Sequence, residues 1–218
     1  MLKKILFLSS VCLLASASFL HADAIGTTAI YSLTLDRCSG TCGTGPFGTI
    51  TLVQTATGVV TVTETLAAGV AFVDTGAGKS LDFNLAGDPA ITIGSLTFGF
   101  ESTGSTSASA FGSFDYSVSC APISCGPGAS HTNPGPLSFT VTDAAGVNVS
   151  NFIGNESFFF ASDVAGVNGN TGNVGAGPGT VTPPAPTPEP SSLVLFGTGL
   201  FAAAGVARRR VVAAIKGN

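Results

Sequence analysis

Residues 136–143 read PLSFTVTD. Leu137, Phe139 and Val141 alternate with small hydroxyl residues, and a period of two is that of a strand with one buried face. A proline precedes the run and an aspartate ends it, and both are typical of the turns that bound a strand. This stretch therefore predicts a half-buried β-strand and favours an all-β domain.

The same alternation recurs in five other runs of the chain. Gly, Pro, Asn or Asp separates the runs at intervals of about ten residues, which is typical of all-β domains. Together the runs predict an antiparallel, jelly-roll-like β-sandwich of about eight to ten strands in residues 25–176, with one face of each strand turned inward. The apolar positions are Tyr31, Leu33 and Leu35; Val60 and Val62; Leu81, Phe83 and Leu85; Leu96, Phe98 and Phe100; Phe114, Tyr116 and Val118.

Charge is distributed unevenly along the chain. Residues 25–187 contain ten acidic residues, but Arg37 and Lys79 are their only bases. The other lysines and arginines lie near the two ends. We expect no nucleic-acid partner, because phosphate groups require lysine and arginine. Basic ends are instead typical of signals that set membrane topology.

The first 24 residues have the three parts of a secretory signal peptide. Lys3 and Lys4 form a positive n-region, residues 5–20 form a mostly apolar h-region, and ADA at 22–24 is a small-x-small cleavage pattern. We predict a signal helix that is cleaved after Ala24, with Ala22 as the next choice. An uncleaved anchor helix is the alternative.

A second apolar segment lies near the C-terminus. Residues 177–187 are rich in Pro and Gly and predict an extended linker, and residues 191–207 are uncharged. As a helix these seventeen residues would span about 25 Å, slightly less than a hydrocarbon core of roughly 30 Å. The segment thus predicts a marginal transmembrane helix. Arg208, Arg209 and Arg210 should stay cytoplasmic, with residues 211–218 as a short cytoplasmic extension.

Pro188, Glu189 and Pro190 stand just before this apolar segment. The tripeptide, the short apolar helix and the arginine cluster, in that order over residues 188–210, resemble the PEP-CTERM sorting signal of Gram-negative bacteria. The extension after the arginines is longer than usual for that family. Residues 136–176 also resemble the last part of the β-rich modules that are often joined to such tails, which supports the fold but supplies no activity.

The resemblance implies processing by an exosortase, a membrane-embedded enzyme of bacteria that typically make exopolysaccharide. It also implies a transient inner-membrane intermediate, followed by delivery to the cell surface or the extracellular space. A permanently anchored single-pass envelope protein is the alternative, because the helix and the arginines would suffice for anchoring.

Four cysteines remain after removal of the signal segment. Cys38 and Cys42 are separated by three residues, and Cys120 and Cys125 by four. An exported chain is expected to form disulfides, and turns that contain Gly or Pro favour the two local pairs among three possible connectivities. A four-thiolate zinc site is the alternative, which an oxidising environment disfavours.

The sequence contains no recognisable catalytic pattern. His131, the only histidine of the mature chain, lies in a loop without a Ser–His–Asp or Cys–His context. No acidic pair suited to glycoside hydrolysis is evident, since the acids are dispersed and mostly border turns. Those at turns include Asp74, Asp88, Asp143 and Asp163.

The loop at 168–173, NGNTGN, is typical of tight turns. As a calcium loop, with Asp163 as a further ligand, it would lack the usual carboxylates. We therefore predict no catalytic, cofactor-binding or metal-binding residues.

These patterns predict a non-enzymatic structural or adhesive protein of the cell surface or extracellular matrix, in contact with exopolysaccharide. A carbohydrate-binding module is an alternative, but the usual aromatic platform is hard to find. Tryptophan is absent, and Tyr31 and Tyr116 are both expected to face the core. A hydrolase whose residues are not recognisable is the third hypothesis.

Overall fold

The computed structural model describes residues 23–185, which form fifteen β-strands and a short 3-10 turn at Val149–Asn151. The all-β prediction is confirmed, since this part of the chain contains no α-helix. Within it, no helix is long and apolar enough to cross a membrane. The predicted transmembrane helix, the sorting tripeptide, the arginine cluster and the apolar part of the signal segment fall on residues 1–22 and 186–218, outside the described residues.

The strands, in chain order, are β1 (Thr28–Cys38), β2 (Gly48–Ala56), β3 (Val59–Leu66), β4 (Ala71–Phe72), β5 (Leu81–Leu85), β6 (Thr92–Gly94), β7 (Phe100–Ser102), β8 (Thr106–Ala108), β9 (Gly112–Phe114), β10 (Tyr116–Cys120), β11 (Leu137–Thr142), β12 (Phe152–Ile153), β13 (Phe160–Ala165), β14 (Thr171–Ala176) and β15 (Thr180–Thr182).

Thirteen strands form one antiparallel sheet, with the main order β6-β11-β3-β2-β1-β14-β13-β5-β10-β7. Strands β4, β12 and β15 join it at β13, β5 and β1, and β8 pairs separately with β9. The two end strands, β6 and β7, are joined by residues 95–99 alone. Within this connection, the Thr97 amide donates a hydrogen bond to the Ser138 carbonyl oxygen of β11 at 2.9 Å. The sheet is therefore nearly closed, between the predicted sandwich and a barrel.

Aromatic side chains from opposite parts of the sheet meet in one core. The Phe83 ring of β5 lies 6.0 Å from the Phe139 ring of β11, although these strands are far apart along the sheet. It also contacts Tyr116 at 5.4 Å and Phe152 at 5.5 Å, measured between ring centroids. Strands β3 and β11 alternate between buried and less buried positions, so the predicted inward face is confirmed there. Strand β2, which was not among the predicted runs, alternates in the same way.

Strands β5 and β13 are buried along both faces, and so is nearly all of β14. The sequence predicts one buried face for each strand. The structure differs because the β8–β9 hairpin and the loop at 74–79 cover the outer face of these strands. Phe111 and Phe114 pack there against Ala161 in a second, smaller apolar cluster.

The predicted strand through Leu96, Phe98 and Phe100 is wrong in its first half. Residues 95–99 are a loop, and the Phe98 side chain is 92% exposed. Ser95 and Gly99 have φ angles of 50° and 92°, which an extended strand cannot contain. The loop conformation follows from the need to connect the two ends of one sheet.

The predicted run through Phe114, Tyr116 and Val118 divides at Asp115, because its two halves have different partners. Phe114 belongs to β9 and pairs with β8, whereas Tyr116 and Val118 belong to β10 and pair with β5. The Asp115 amide donates a hydrogen bond to Asn84 Oδ1 at 2.8 Å at this change of partner.

Both ends of the domain make strand or turn contacts. Residues 180–182, in the segment predicted as a linker, form β15 and pair with residues 28–30 of β1. The strand-forming region thus continues beyond Ala176. Near the other end, Asp23 Oδ2 accepts hydrogen bonds from the Ser150 amide and hydroxyl at 2.8 and 2.9 Å. Cleavage after position 22 would retain these contacts, whereas cleavage after position 24 would remove them.

Candidate functional site

A cleft of about 400 Å³ opens where β6, β7 and β10 come together. The β5–β6 connection supplies one wall, and the residues after β7 and at the start of β10 supply the others. Its volume lies in the range of small-molecule sites. The lining residues are Asp88, Pro89, Ala90, Ile91, Ile93, Ser102, Gly104, Asp115, Tyr116 and Ser117.

Tyr116 connects this cleft to the core. Its ring stacks on Phe83 with an interplanar angle of 23°, while its hydroxyl donates to Asp88 Oδ1 at 2.8 Å. Burial, followed by the hydrogen bond to Asp88, raises the pKa of Tyr116, so the hydroxyl stays protonated at neutral pH. The ring thus packs on the core as expected, but its polar end lies in the cleft. Tyr31 is fully inside the core, as predicted.

The cleft has an apolar side formed by Ile91 and Ile93 and an acidic rim formed by Asp88 and Asp115. Its lining contains no histidine, cysteine, lysine or arginine. The Ser117 hydroxyl is engaged with the Gly104 carbonyl oxygen rather than with a base. Such a lining can hold a ligand by packing and hydrogen bonding, but it lacks the nucleophile–base pair of covalent catalysis.

Both predicted local cysteine pairs are present as disulfides. The Cα atoms of Cys38 and Cys42 lie 5.5 Å apart, and those of Cys120 and Cys125 lie 5.8 Å apart. Asp36 brings a carboxylate close to the first two sulfur atoms. These sulfurs are bonded to each other and are not thiolates, so this group is unsuited to a metal.

The Asn-rich loop packs against the first disulfide turn. Asn168 and Asn170 each donate a side-chain hydrogen bond to the Thr41 carbonyl oxygen at 2.9 Å. In the same turn, burial alone would raise the pKa of Asp36, but hydrogen bonds from Thr41 and from the Cys38 and Cys42 amides outweigh burial and lower that pKa. These contacts join two turns. The predicted loop at 168–173 is confirmed only in its first half, because β14 begins at Thr171 and contains Asn173.

The other candidate residues are spread over the domain. His131 closes a turn in which its carbonyl oxygen accepts from the Gly126 amide at 2.8 Å. Asp74 pairs with Lys79 at 3.6 Å, and Asp143 Oδ1 accepts from the amide two residues later at 3.2 Å. The structure brings none of these residues to the cleft, which contains Asp88 alone among the acids singled out at turns.

The sequence did not predict that four polar residues are buried together with the apolar core residues. They are Glu64, Asp82, Asp163 and Asn173. Burial raises the pKa of Asp82 to about 7 and the pKa of Asp163 to about 6, and it raises the pKa of Glu64 well above its usual value. Asp82 and Asp163 lie at strand positions that alternation assigns to solvent. The signal available in the sequence was an acidic residue within each of the apolar runs LDFNL and FASDVA.

Two disulfides in an all-β domain are typical of exported proteins. Residues 186–210 match the family model described as PEP-CTERM protein-sorting motif, so the predicted resemblance is confirmed. The motif implies exosortase processing and export to the cell surface or extracellular space. It covers 25 of the 218 residues, all beyond the β domain. No curated protein and no solved structure matches the chain.

Proposed function

We propose that this protein is a non-enzymatic structural or adhesive component of the cell surface or extracellular matrix, in contact with exopolysaccharide. The match of residues 186–210 to the sorting motif carries the proposal, because it assigns the chain to the exosortase route. The predicted helix at 191–207 holds the chain briefly in the inner membrane, with the arginines inward.

Features of the β domain support a stable extracellular role. Two disulfides close short turns, which suits an oxidising environment. Near-closure of the sheet leaves few unpaired strand edges, and such edges are the usual sites of aggregation. Residues 25–187 are strongly acidic, which favours solubility at high local concentration.

The proposal is tested by replacing Pro188, Glu189 and Pro190 with alanine in the producing bacterium. We expect the full-length form to accumulate in the membrane and surface delivery to fall, because the processing enzyme loses its recognition sequence. Immunoblotting of fractions and intact-mass measurement report both changes. As a matched control, alanine at Pro183 and Pro184 removes two linker prolines and should leave delivery unchanged. Unaltered mass and location of the tripeptide variant would instead establish a permanent anchor.

A carbohydrate-binding module is a second candidate function, favoured by the position of Tyr116. The cleft combines an aromatic residue with the rim carboxylates of Asp88 and Asp115, and carboxylates are strong acceptors for sugar hydroxyl groups. The acidic rim would repel an anionic chain, so an uncharged polysaccharide is the expected ligand class.

Replacing exposed Asp115 with alanine should weaken oligosaccharide binding at least about tenfold, since one hydrogen bond to a charged group is worth about 1.5–3 kcal/mol. Titration calorimetry with fragments of the organism's own neutral exopolysaccharide measures this. Glu156→Gln, an exposed acid outside the cleft, should bind as the unmodified protein does. Failure of the unmodified protein to bind any fragment, or equal affinities for both variants, would exclude the cleft as a sugar site.

A further inference from the structure

Three neighbouring strands place polar side chains side by side on the outer face of the sheet. Asp82 lies in β5 opposite Ala161 of β13, and Asp163 of β13 lies opposite Asn173 of β14. Although this face was expected to meet solvent, the exposed fractions of Asp82, Asp163 and Asn173 are 0%, 0% and 1%. The sheet therefore carries a buried group of oxygen-bearing side chains.

The loop at 74–79 covers this group and is hydrogen-bonded to each member. The Thr75 amide and hydroxyl both donate to Asp163 Oδ2 at 2.7 Å. The Lys79 amide donates to Asp82 Oδ2 at 3.2 Å, and Asn173 Nδ2 donates to the Ala77 carbonyl oxygen at 2.7 Å. These bonds fix the orientation of all three side chains.

Two oxygen atoms remain without a partner beneath the loop. Asp82 Oδ1 and Asn173 Oδ1 are buried and have no hydrogen-bond partner among residues 23–185. A buried polar group left unpaired costs about 1–3 kcal/mol, and more when it is charged. Native structures seldom retain two such atoms in one place without a proton, a water or an ion that contacts them.

The Asp82 and Asn173 side chains both lie close to Gly78. A Cβ atom added at Gly78 would lie 2.7 Å from Asn173 Oδ1 and 3.1 Å from Asp82 Oδ2, the carboxyl oxygen that accepts from the Lys79 amide. Gly78 therefore allows the carboxyl group and the amide group to approach the same part of the loop. The two side chains that carry the unpaired oxygens are thus neighbours in one buried polar group.

The charges around this site are unbalanced. The acidic groups that influence Asp82 and Asp163 are these two residues themselves and Asp74. Among residues 23–185, Lys79 is the basic residue near the group, and its ammonium lies 3.6 Å from Asp74 at the partly exposed rim. One lysine paired with a rim acid leaves the buried carboxylates without full compensation, and a positive charge is the missing component.

We propose that Asp82, Asp163 and Asn173 form a binding site for a calcium-class divalent cation, roofed by the loop at 74–79. The donors are carboxylate and side-chain amide oxygens, which hard cations prefer, and no nitrogen or sulfur donor takes part. Calcium fits better than magnesium because a water-poor site cannot supply the hydration shell that magnesium keeps. The cation ties the loop to strands β5, β13 and β14.

The test is thermal unfolding of the full mature domain at pH 8, in EDTA and in 10 mM calcium chloride. With a Kd of about 10⁻⁴ M, typical of extracellular calcium modules, calcium should raise the Tm by about 5–10 °C. Elemental analysis after dialysis against buffer containing 1 mM calcium, with the calcium of the buffer subtracted, should give one calcium per chain. No shift together with no bound calcium would overturn the proposal.

Two variants separate a cation from a proton as the partner of the unpaired oxygens. Asp82→Asn keeps the side-chain shape and should abolish the calcium-induced shift, whereas Glu101→Gln, at an exposed acid outside the cleft, should retain it. Asn173→Asp adds a carboxylate and should lower the midpoint of a calcium titration. If Asp82→Asn fails to fold, the calcium titrations of Asn173→Asp and of the unmodified protein still show whether the site binds a cation. If Asp82→Asn is more stable than the unmodified protein, and calcium does not stabilise the unmodified protein, then Asp82 is a protonated, neutral carboxyl group. That result would refute the proposed cation site.

Discussion

Replacing Phe83 with alanine should lower the free energy of unfolding by about 3–5 kcal/mol, the usual cost of deleting a buried aromatic ring. The Phe83 side chain is fully buried, and its ring contacts Tyr116, Phe139 and Phe152. Because these rings come from different parts of the sheet, no single strand can move inward to fill the cavity. Urea unfolding followed by circular dichroism measures the change.

Phe98→Ala is the matched control for this substitution. It removes the same side chain from a loop position that is 92% exposed, so stability should change by less than about 0.5 kcal/mol. Equal losses for the two variants would show that the core does not lie between β5 and β11 as described. If the alanine variant does not fold, a Phe83→Leu variant can be measured instead, and it should lose less of the free energy of unfolding.

In buffer containing EDTA, the stability of the protein should fall by several kcal/mol as the pH rises from about 5 to 8. Glu64 is fully buried without a hydrogen-bond partner among residues 23–185, and its register neighbours Ile50 and Leu137 are also buried. Burial raises its pKa well above the usual value, and raises the pKa of Asp82 to about 7 and that of Asp163 to about 6.

The sign follows from proton linkage. A carboxyl group with a raised pKa binds its proton more tightly in the folded state, so the slope of unfolding free energy against pH is negative. The stabilisation is complete below about pH 4, the usual carboxyl range. It is lost as the pH rises through the folded-state pKa values near 6 and 7. Each tenfold difference in proton affinity between the folded and unfolded states contributes about 1.4 kcal/mol to the free energy of unfolding.

Glu64→Gln isolates the contribution of the core carboxyl. The amide has the same shape but cannot ionise, so the stability advantage of this variant over the unmodified protein should grow with pH. Urea unfolding at several pH values measures it, with Glu101→Gln, an exposed acid on β7, as the control that should parallel the unmodified protein. Stability that is constant or rises between pH 5 and 8 would contradict the burial of these carboxyl groups in neutral form.

The strands β3 and β11 were predicted from the sequence because alternation is a local property. The polarity of each residue indicates whether its side chain faces the core, and this pattern can be recognised without knowing any distant segment. The two disulfides were also predictable, since each closes a turn of a few residues whose geometry is set locally. The sorting motif at 186–210 is a linear sequence, which can be recognised without any fold.

Alternation failed where distant segments determine the environment of a strand. Asp82 and Asp163 occupy positions that a half-buried strand turns to solvent, but the loop at 74–79 and the β8–β9 hairpin cover them. Leu96, Phe98 and Phe100 alternate as a strand would, yet residues 95–99 must connect the two ends of the sheet. The same alternation of apolar residues therefore leads to a half-buried strand, a fully buried strand or a loop, depending on contacts with segments distant in the sequence.

The sequence alone determined that the chain is exported, β-rich, locally cross-linked and sorted through its tail, because each of these properties resides in a short contiguous segment. Only the tertiary structure decided which carboxyl groups are buried, that Tyr116 reaches a cleft, and that Asp82 and Asn173 both lie close to Gly78. These features require strands from separate parts of the chain to meet in one register. Long-range pairing is set by the closure of the whole sheet, and no short segment contains that information.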